Sequence, residues 1–264
     1  SLFSDLACSL GAVLIEQYIV EDLCGGHMSH CFGNTFSRAF MRLAFQRALQ
    51  SVSRAPGTMI YGATTLYGDN EAANFAGLGN FLRADMLGQR MRPSGHAITP
   101  IPVTEARRIP DIDEIVDAHI FARHLCELET PLEGLYDFEA ADEVAARIVE
   151  GGRRFKDNVL RGFAGMGIDT ADPFEMLLAL RRIGPKRVEE LYGPGETQDG
   201  KSRRHPVVLS GSVADVEEMG RKCVAGLSPG LRDTIKRGHL RICVATTDVH
   251  EYGKILVEDV LRRL

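Results

Sequence analysis

The first half of the chain alternates between helical patterns and short apolar runs. Apolar side chains recur at helical spacing over 6–23, and Gly25–Gly26 ends that pattern. Three short runs then predict strands, each leading into a helix. The strand runs are HMSHCFGN, TMIYGATT and HAITPIPV, and the helices after them are AFMRLAFQRALQSV, Glu71 to Arg90 and DIDEIVDAHIFARHLCELE. Strands that return at intervals of roughly 35 to 40 residues are typical of parallel βα units, so residues 1–135 are predicted to form part of a (β/α) barrel.

The second half is divided by one linker. Residues 136–195 predict a helical extension without a clear strand, and GPGETQDGKSRRHP has the Gly, Pro and charge content of a connection. The linker and a helix, SVADVEEMGRKCVAGL, fill 196–238. The last unit, 239–264, predicts a strand HLRICVAT, a turn TTDVHEYG and a helix KILVEDVLRRL. The chain starts without a methionine and ends inside a helical pattern, so we expect a segment of a longer polypeptide.

Charge and composition exclude several classes of protein. The chain has 264 residues, 44% of them hydrophobic and 25% charged, and a net charge of −5 without a basic stripe, which argues against a nucleic-acid partner. The most apolar early stretch contains Glu16 and Glu21, which argues against a membrane span or signal peptide. The six cysteines form no C-x-x-C pair. We therefore expect a cytoplasmic protein with reduced thiols.

The turn TTDVHEYG carries the most specific chemistry. It follows a predicted strand, where α/β folds bind ligands. A histidine that binds a metal usually donates its second ring N–H to a carboxylate, and Asp248 lies two residues before His250. Gly253 would leave room for a bulky planar ligand or allow a positive φ. The alternative is that His250 is an ordinary solvated loop histidine.

In sequence, DVHEYG after RICVATT resembles the D-x-H-x-x-G signature of flavodoxin-like (Rossmann-type) cobalamin-binding domains. The resemblance implies that His250 is the lower ligand of cobalt, that Asp248 is its hydrogen-bond partner, and that Gly253 lies in the loop that accommodates the corrin. Thr246 and Thr247 in the same loop are candidate cofactor contacts. The later motifs of that domain would lie beyond Leu264.

The predicted barrel units are similar to the catalytic subunit of the glutamate mutase (methylaspartate mutase) family, over about residues 27–195. In that family a glutamate in the stretch matched by TEARRIP contacts the ribose of the adenosyl group, which implies this role for Glu105. Two family lysines upstream are replaced here by Ile101 and Ala97. The substrate-binding arginines of the family belong to the other half of the barrel.

Polar residues next to the predicted strands are further candidates for the catalytic face. Tyr61 and Asn34 could line the cofactor, or could instead satisfy loop backbone groups. His96 opens its strand and is a weaker candidate.

The chemistry implied by the resemblance is that of an isomerase. Adenosylcobalamin would supply a 5′-deoxyadenosyl radical that abstracts hydrogen from a small substrate, such as an amino acid or another small carboxylate. In the related lysine and ornithine aminomutases, a lysine eleven residues after the cobalt-ligating histidine binds pyridoxal phosphate. That position is Leu261, which cannot form a Schiff base, so pyridoxal phosphate is not expected.

Two alternatives stay open at the level of sequence. One is an aminomutase whose lysine lies elsewhere, and the other is a non-catalytic corrinoid-binding protein. In each case the rest of the barrel and of the cobalamin domain would be in the same polypeptide or a partner chain, within an oligomer. The isolated chain would be inactive.

Overall fold

The structure is a computed structural model. It describes residues 3–33, 36, 38–62, 67–105, 107–129, 136–197, 204–238, 241–245 and 252–264. The helices and strands are α1 (Leu6–Gln17), a π-helical turn (Tyr18–Leu23), α2 (Ala39–Val52), β1 (Met59–Tyr61), α3 (Glu71–Met91), β2 (Ala97–Thr99), α4 (Ile112–Glu129), α5 (Glu139–Gly165), α6 (Pro173–Ile183), α7 (Pro185–Tyr192), α8 (Gly211–Gly226), α9 (Pro229–Arg237) and α10 (Tyr252–Arg263).

A small parallel sheet forms the centre of the first half. β1 and β2 pair in parallel with Ile60 opposite Ile98, and Phe32 makes a parallel bridge to Ile60 on the other side of β1. Three consecutive units of the chain therefore lie side by side in chain order, with α2 and α3 as the crossovers. This short parallel sheet in a mostly helical chain is compatible with the predicted mixed α/β class, while the (β/α) barrel and the flavodoxin-like unit stay predictions.

The strands are shorter than the apolar runs that predicted them. The run around Phe32 contributes a single bridge, and β2 ends at Thr99, directly before Pro100. Pro100 and Pro102 have no N–H to donate to a neighbouring strand, so the ladder cannot continue through them. In the run HLRICVAT, residues 241–245 are not part of a strand, which differs from the prediction for the final unit.

Helix starts follow ordinary capping chemistry. The side chains of Asp5, Asn70, Asp172 and Ser228 each accept a hydrogen bond from a backbone N–H in the first turn of α1, α3, α6 and α9. Such caps satisfy donors that the helix itself leaves unpaired. The predicted helices over 6–23 and 71–90, and the helical character of the region after 136, are thus confirmed to within a few residues.

The main core lies where α1, α2 and α5 meet. α1 crosses α5 closely because glycines occupy the contact: a Cβ at Gly11 would lie 2.9 Å from the Gly152 carbonyl oxygen, and one at Gly151 would lie 2.7 Å from the Ala7 Cβ. Phe155 fills the space beside this crossing and is fully buried. Close helix approach at small residues gives dense packing.

The N-terminal segment also fixes the connection to α8. Asp5 is buried, and its carboxylate accepts hydrogen bonds from the backbone N–H groups of Val207 (2.8 Å) and Val208 (3.1 Å). Further along, α10 packs on α8, and Lys186 of α7 forms an ion pair with Glu258 of α10 at 2.9 Å. No helix within the described ranges is both long and apolar enough to cross a membrane.

Candidate functional site

The carboxyl ends of the three parallel segments lie at one edge of the sheet. We call this the carboxyl edge and define it as Gly33, 61–62 and 99–105. In parallel α/β folds, ligands bind at this edge because the loops after neighbouring strands converge there. Two of the predicted site residues lie at this edge: Tyr61 is the last residue of β1, and Glu105 follows β2.

A buried ion pair fixes the backbone beneath the carboxyl edge. The guanidinium of Arg42 in α2 donates to both carboxylate oxygens of Asp85 in α3, at 2.5 and 2.7 Å, and both side chains are almost fully buried. The same guanidinium donates to the carbonyl oxygens of Gly33 (2.9 Å) and Tyr61 (2.7 Å). One charged group therefore holds the ends of two strands and the two crossover helices behind them.

Burying the two charged side chains costs free energy, and the contacts between Arg42 and Asp85 offset part of that cost. Desolvation raises the pKa of the Asp85 carboxyl, and the charge and hydrogen bonds of Arg42 oppose that rise. The Arg42 guanidinium also lies near the rings of Phe81 (5.4 Å) and Phe32 (6.0 Å), a favourable contact for a cation. Each of the three guanidinium nitrogens donates at least one hydrogen bond, as a buried charge requires.

Gly33 allows the first two strands to approach at this point. Its φ is 136°, and a Cβ there would lie only 1.9 Å from the carbonyl oxygen of Tyr61. That carbonyl is one of the acceptors of Arg42. Any side chain at position 33 would displace the Tyr61 carbonyl, so the glycine is part of the same arrangement.

Tyr61 ends β1 and is half-buried. Its hydroxyl lies 4.0 Å from the thiol of Cys31, which is exposed. Burial, and then the neighbouring Cys31, raise the pKa of the Tyr61 hydroxyl. The hydroxyl is thus protonated at neutral pH and is able to donate a hydrogen bond to a ligand.

Glu105 lies in a turn after β2 and is exposed. Two side chains that the sequence did not single out hold this turn. The Tyr67 hydroxyl donates to the Ile101 carbonyl at 3.0 Å, and the Asn74 amide donates to the carbonyls of Val103 (3.2 Å) and Gly68 (2.9 Å). Burial, and then the charge of Glu105, raise the pKa of Tyr67 to about 12. An exposed carboxylate on a turn held in this way can accept hydrogen bonds from ligand hydroxyl groups.

Several predicted site residues lie outside the described residues. These are Asn34, Thr246, Thr247, Asp248 and His250. Gly253 is described and lies in the first turn of α10, and it is not among the glycines with positive φ. A Cβ at Gly253 would have no neighbour within 4 Å. Of the two reasons for a glycine at this position, the need for positive φ is wrong, and the approach of a ligand stays a prediction.

Leu261 also lies in α10, on the side that faces 241–245. It lines a cavity of ≈ 580 Å³ together with Ile235, Ile242 and Val244. The charged residues Lys236, Glu258 and Arg262 line the same cavity, so Leu261 lies in mixed apolar and charged surroundings.

The described residues contain no group of three or more His, Cys, Asp or Glu side chains arranged to hold a metal ion. Comparisons of the chain with protein-family models, with curated proteins and with solved structures give no significant match.

Proposed function

We propose that this chain is part of an adenosylcobalamin-dependent carbon-skeleton mutase, an isomerase of a small carboxylate substrate. The observation that carries the proposal is the placement of Tyr61 and Glu105 at the carboxyl edge of adjacent parallel strands. This is the edge at which α/β folds bind ligands. The resemblance to the glutamate mutase family implies the role of Glu105, and the place of Tyr61 at the end of a predicted strand makes it a candidate for the same face.

The residues at the carboxyl edge fit a nucleoside-bearing cofactor. Glu105 is an exposed carboxylate able to accept hydrogen bonds from sugar hydroxyls. The Tyr61 hydroxyl keeps its proton and can donate a hydrogen bond to the cofactor. Arg42 and Asp85 hold the backbone behind Tyr61 in one position. When bound, adenosylcobalamin supplies the radical chemistry, and the protein supplies orientation and shielding.

The cobalt would be held by His250, with Asp248 as the partner of its second ring nitrogen and Thr246, Thr247 and Gly253 in the surrounding loop. The open space beside Gly253 is compatible with a bulky ligand approaching the start of α10. Pyridoxal phosphate has no support in this helix, since Leu261 cannot form a Schiff base. This favours a mutase over an aminomutase.

Replacing His250 with alanine tests the cobalt ligand directly. The chain, expressed with any flanking sequence that its gene encodes and labelled with ¹⁵N-histidine, is mixed with unlabelled cobalamin that is then reduced to the Co(II) state. Coordination by His250 predicts that the electron paramagnetic resonance lines, triplets with ¹⁴N-histidine, become doublets with the label. In His250→Ala the doublets should disappear.

The matched control is His119→Ala, which changes an exposed histidine of α4 and should leave the doublets unchanged. Triplets that ignore the label would show that the cofactor's own base ligates cobalt, and absence of binding would also contradict the proposal. Binding with doublets, but without any substrate-dependent radical signal, would favour the corrinoid-carrier alternative over the mutase.

A further inference from the structure

A second cavity lies at the opposite edge of the sheet, which we call the amino edge. The turns that precede Phe32, β1 and β2 meet there around a volume of ≈ 630 Å³. The polar side chains that line it are His30, Gln50, Ser51, Ser53, Arg54, Arg92, Ser94 and His96. Residues at this edge of a parallel sheet usually serve stability, so buried polar groups here need an explanation.

The explanation cannot come from the described protein partners alone. His96 is only 7% exposed, and its Nε2 has no hydrogen-bond partner. The His30 ring lies beside it, with the ring centroids 5.1 Å apart, and neither of its nitrogens has a partner. Buried polar groups in native proteins are nearly always paired, and unpaired ones often mark a missing ligand or water.

The hydrogen bonds around Ser94 indicate which nitrogen of His96 carries the proton. Gln89 accepts the backbone N–H of Ser94 through Oε1 (3.0 Å), so its amide nitrogen must be the group that donates to Ser94 Oγ (2.6 Å). The Ser94 hydroxyl lies 2.6 Å from His96 Nδ1, and since the described residues offer its hydrogen no other acceptor, we expect it to donate to Nδ1. With Nδ1 as an acceptor, neutral His96 carries its hydrogen on Nε2.

His96 Nε2–H is thus a buried donor without a hydrogen bond of good geometry, although the backbone of His30 is close enough to raise the pKa of His96 through a hydrogen bond. The nearby carbonyl of His30 already accepts two hydrogen bonds, from the N–H (2.9 Å) and the hydroxyl (3.0 Å) of Thr58. The hydroxyls of Ser51 and Ser53 donate to backbone carbonyls of their own turn. Among the unpaired groups of the cavity, His96 Nε2–H therefore needs an acceptor, while Gln50 Oε1 at the same cavity needs a donor.

A metal ion would not supply an acceptor. Nε2 cannot ligate a metal while it carries hydrogen, and no carboxylate or thiol lies among the described residues that line the cavity. A ligand that brings several acceptor oxygens meets the need, and guanidinium groups bind such oxyanions well. Arg54 and Arg92 lie on the exposed wall of the same cavity, although Arg54 also pairs with Asp22 and Glu21.

We propose that the amino-edge cavity binds a small oxyanion of the phosphate or carboxylate type, with His96 Nε2–H as the buried donor and Arg92 and Arg54 at the rim. No hydrogen bond holds the His30 ring, so it can rotate away and admit the anion to His96. The His96 ring packs directly on Gly57, where a Cβ would come within 1.8 Å of Nε2, so only a glycine at position 57 leaves room for the ring. The site is independent of the cobalamin proposal, which concerns the other edge of the sheet.

The test uses the full chain labelled with ¹⁵N-histidine and titrated with inorganic phosphate and, separately, with acetate. Long-range ¹H–¹⁵N spectra distinguish protonated from unprotonated ring nitrogens. We expect the free chain to show His96 with hydrogen on Nε2, and saturable shifts confined to His30 and His96 among the eight histidines. Saturation by phosphate alone identifies a phosphate site, and saturation by acetate identifies a carboxylate site.

Two variants keep the proposal falsifiable. His96→Phe removes the donor and should weaken anion binding by about 10-fold or more. Ser94→Ala leaves the cavity wall in place but frees the tautomer, and should weaken binding by a few-fold, on the order of 3-fold. His119→Phe, on exposed α4, should change nothing. Hydrogen on Nδ1 in the free chain, no saturation by either anion, or unchanged affinity in Ser94→Ala would overturn the proposal.

Binding should also depend on pH. Burial, and then His30, lower the pKa of His96 to about 4, so His96 is neutral in the free chain above that pH. A bound anion stabilises the imidazolium and raises this pKa, so binding takes up a proton and strengthens as pH falls from 7 to 5. Guanidinium groups keep their charge throughout this range, and the carboxylates of Glu21 and Asp22 face Arg54. Sulfate, which does not titrate there either, is the probe, and pH-independent affinity would contradict a role for His96.

Discussion

Replacing Asp85 with alanine is expected to lower the free energy of unfolding by about 3–5 kcal/mol, because the change leaves the buried charge of Arg42 without its partner. The Arg42 side chain is 0% exposed and the Asp85 side chain 2% exposed, so water cannot replace the lost carboxylate without opening the core. Urea denaturation followed by circular dichroism gives the change in the unfolding midpoint.

Two variants separate the ion pair from general effects. Asp117→Ala removes an exposed carboxylate from α4 and should change the stability by no more than about 0.5 kcal/mol. The double variant Arg42→Met with Asp85→Leu removes both charges, and should regain much of the loss. It should not regain all of it, since the carbonyls of Gly33 and Tyr61 would lose their donor. An Asp85→Ala variant as stable as Asp117→Ala would refute the assigned role.

The helices were predictable from sequence because each depends on local chemistry. The apolar spacing before Gly25 and the pattern that begins at Glu71 both gave helices that end within a few residues of the predicted limits. Strand length was less predictable. An apolar run indicates burial, but the ladder also needs N–H groups, which Pro100 and Pro102 lack.

The candidate site was predictable only in its exposed members. Tyr61 and Glu105 stand next to short apolar runs, so their place at a sheet edge follows from the order of the elements. Arg42 and Asp85 do not stand out in the same way, because they are 43 positions apart and each has the pattern of an ordinary polar residue on a helix. Only the tertiary packing shows that they form one buried pair.

The contacts of His96 were likewise not predictable from the sequence. Its position at the start of β2 was predictable, and it made His96 a weak candidate for the catalytic face. The contact from Ser94 and the neighbouring ring of His30 depend on three turns meeting at the amino edge. The spacing of apolar residues along the chain does not show that these turns come together.

Replacing Phe155 with alanine is expected to lower the free energy of unfolding by about 3–5 kcal/mol, through lost burial and the cavity left behind. Phe155 is fully buried at the crossing of α1 and α5, and its ring contacts that of Phe3 edge-on, with centroids 6.1 Å apart. Phe174→Ala is the matched control, because that ring is 67% exposed on α6 and should cost far less. Thermal or urea unfolding of the two variants gives the comparison.

The same crossing predicts a coupling between two positions. A Cβ at Gly11 would lie 2.5 Å from Cδ1 of Phe155, so Gly11→Ala alone should cost about 1–3 kcal/mol by overpacking. In the Phe155→Ala background the ring is gone, and the added methyl group should cost less. Relief is partial, since the Gly152 carbonyl oxygen would still lie 2.9 Å from that Cβ. In a double-mutant cycle, the double variant should therefore lose less stability than the sum of the losses in the two single variants. Strict additivity would mean that the backbone of α5, and not the Phe155 ring, sets the distance between the two helices.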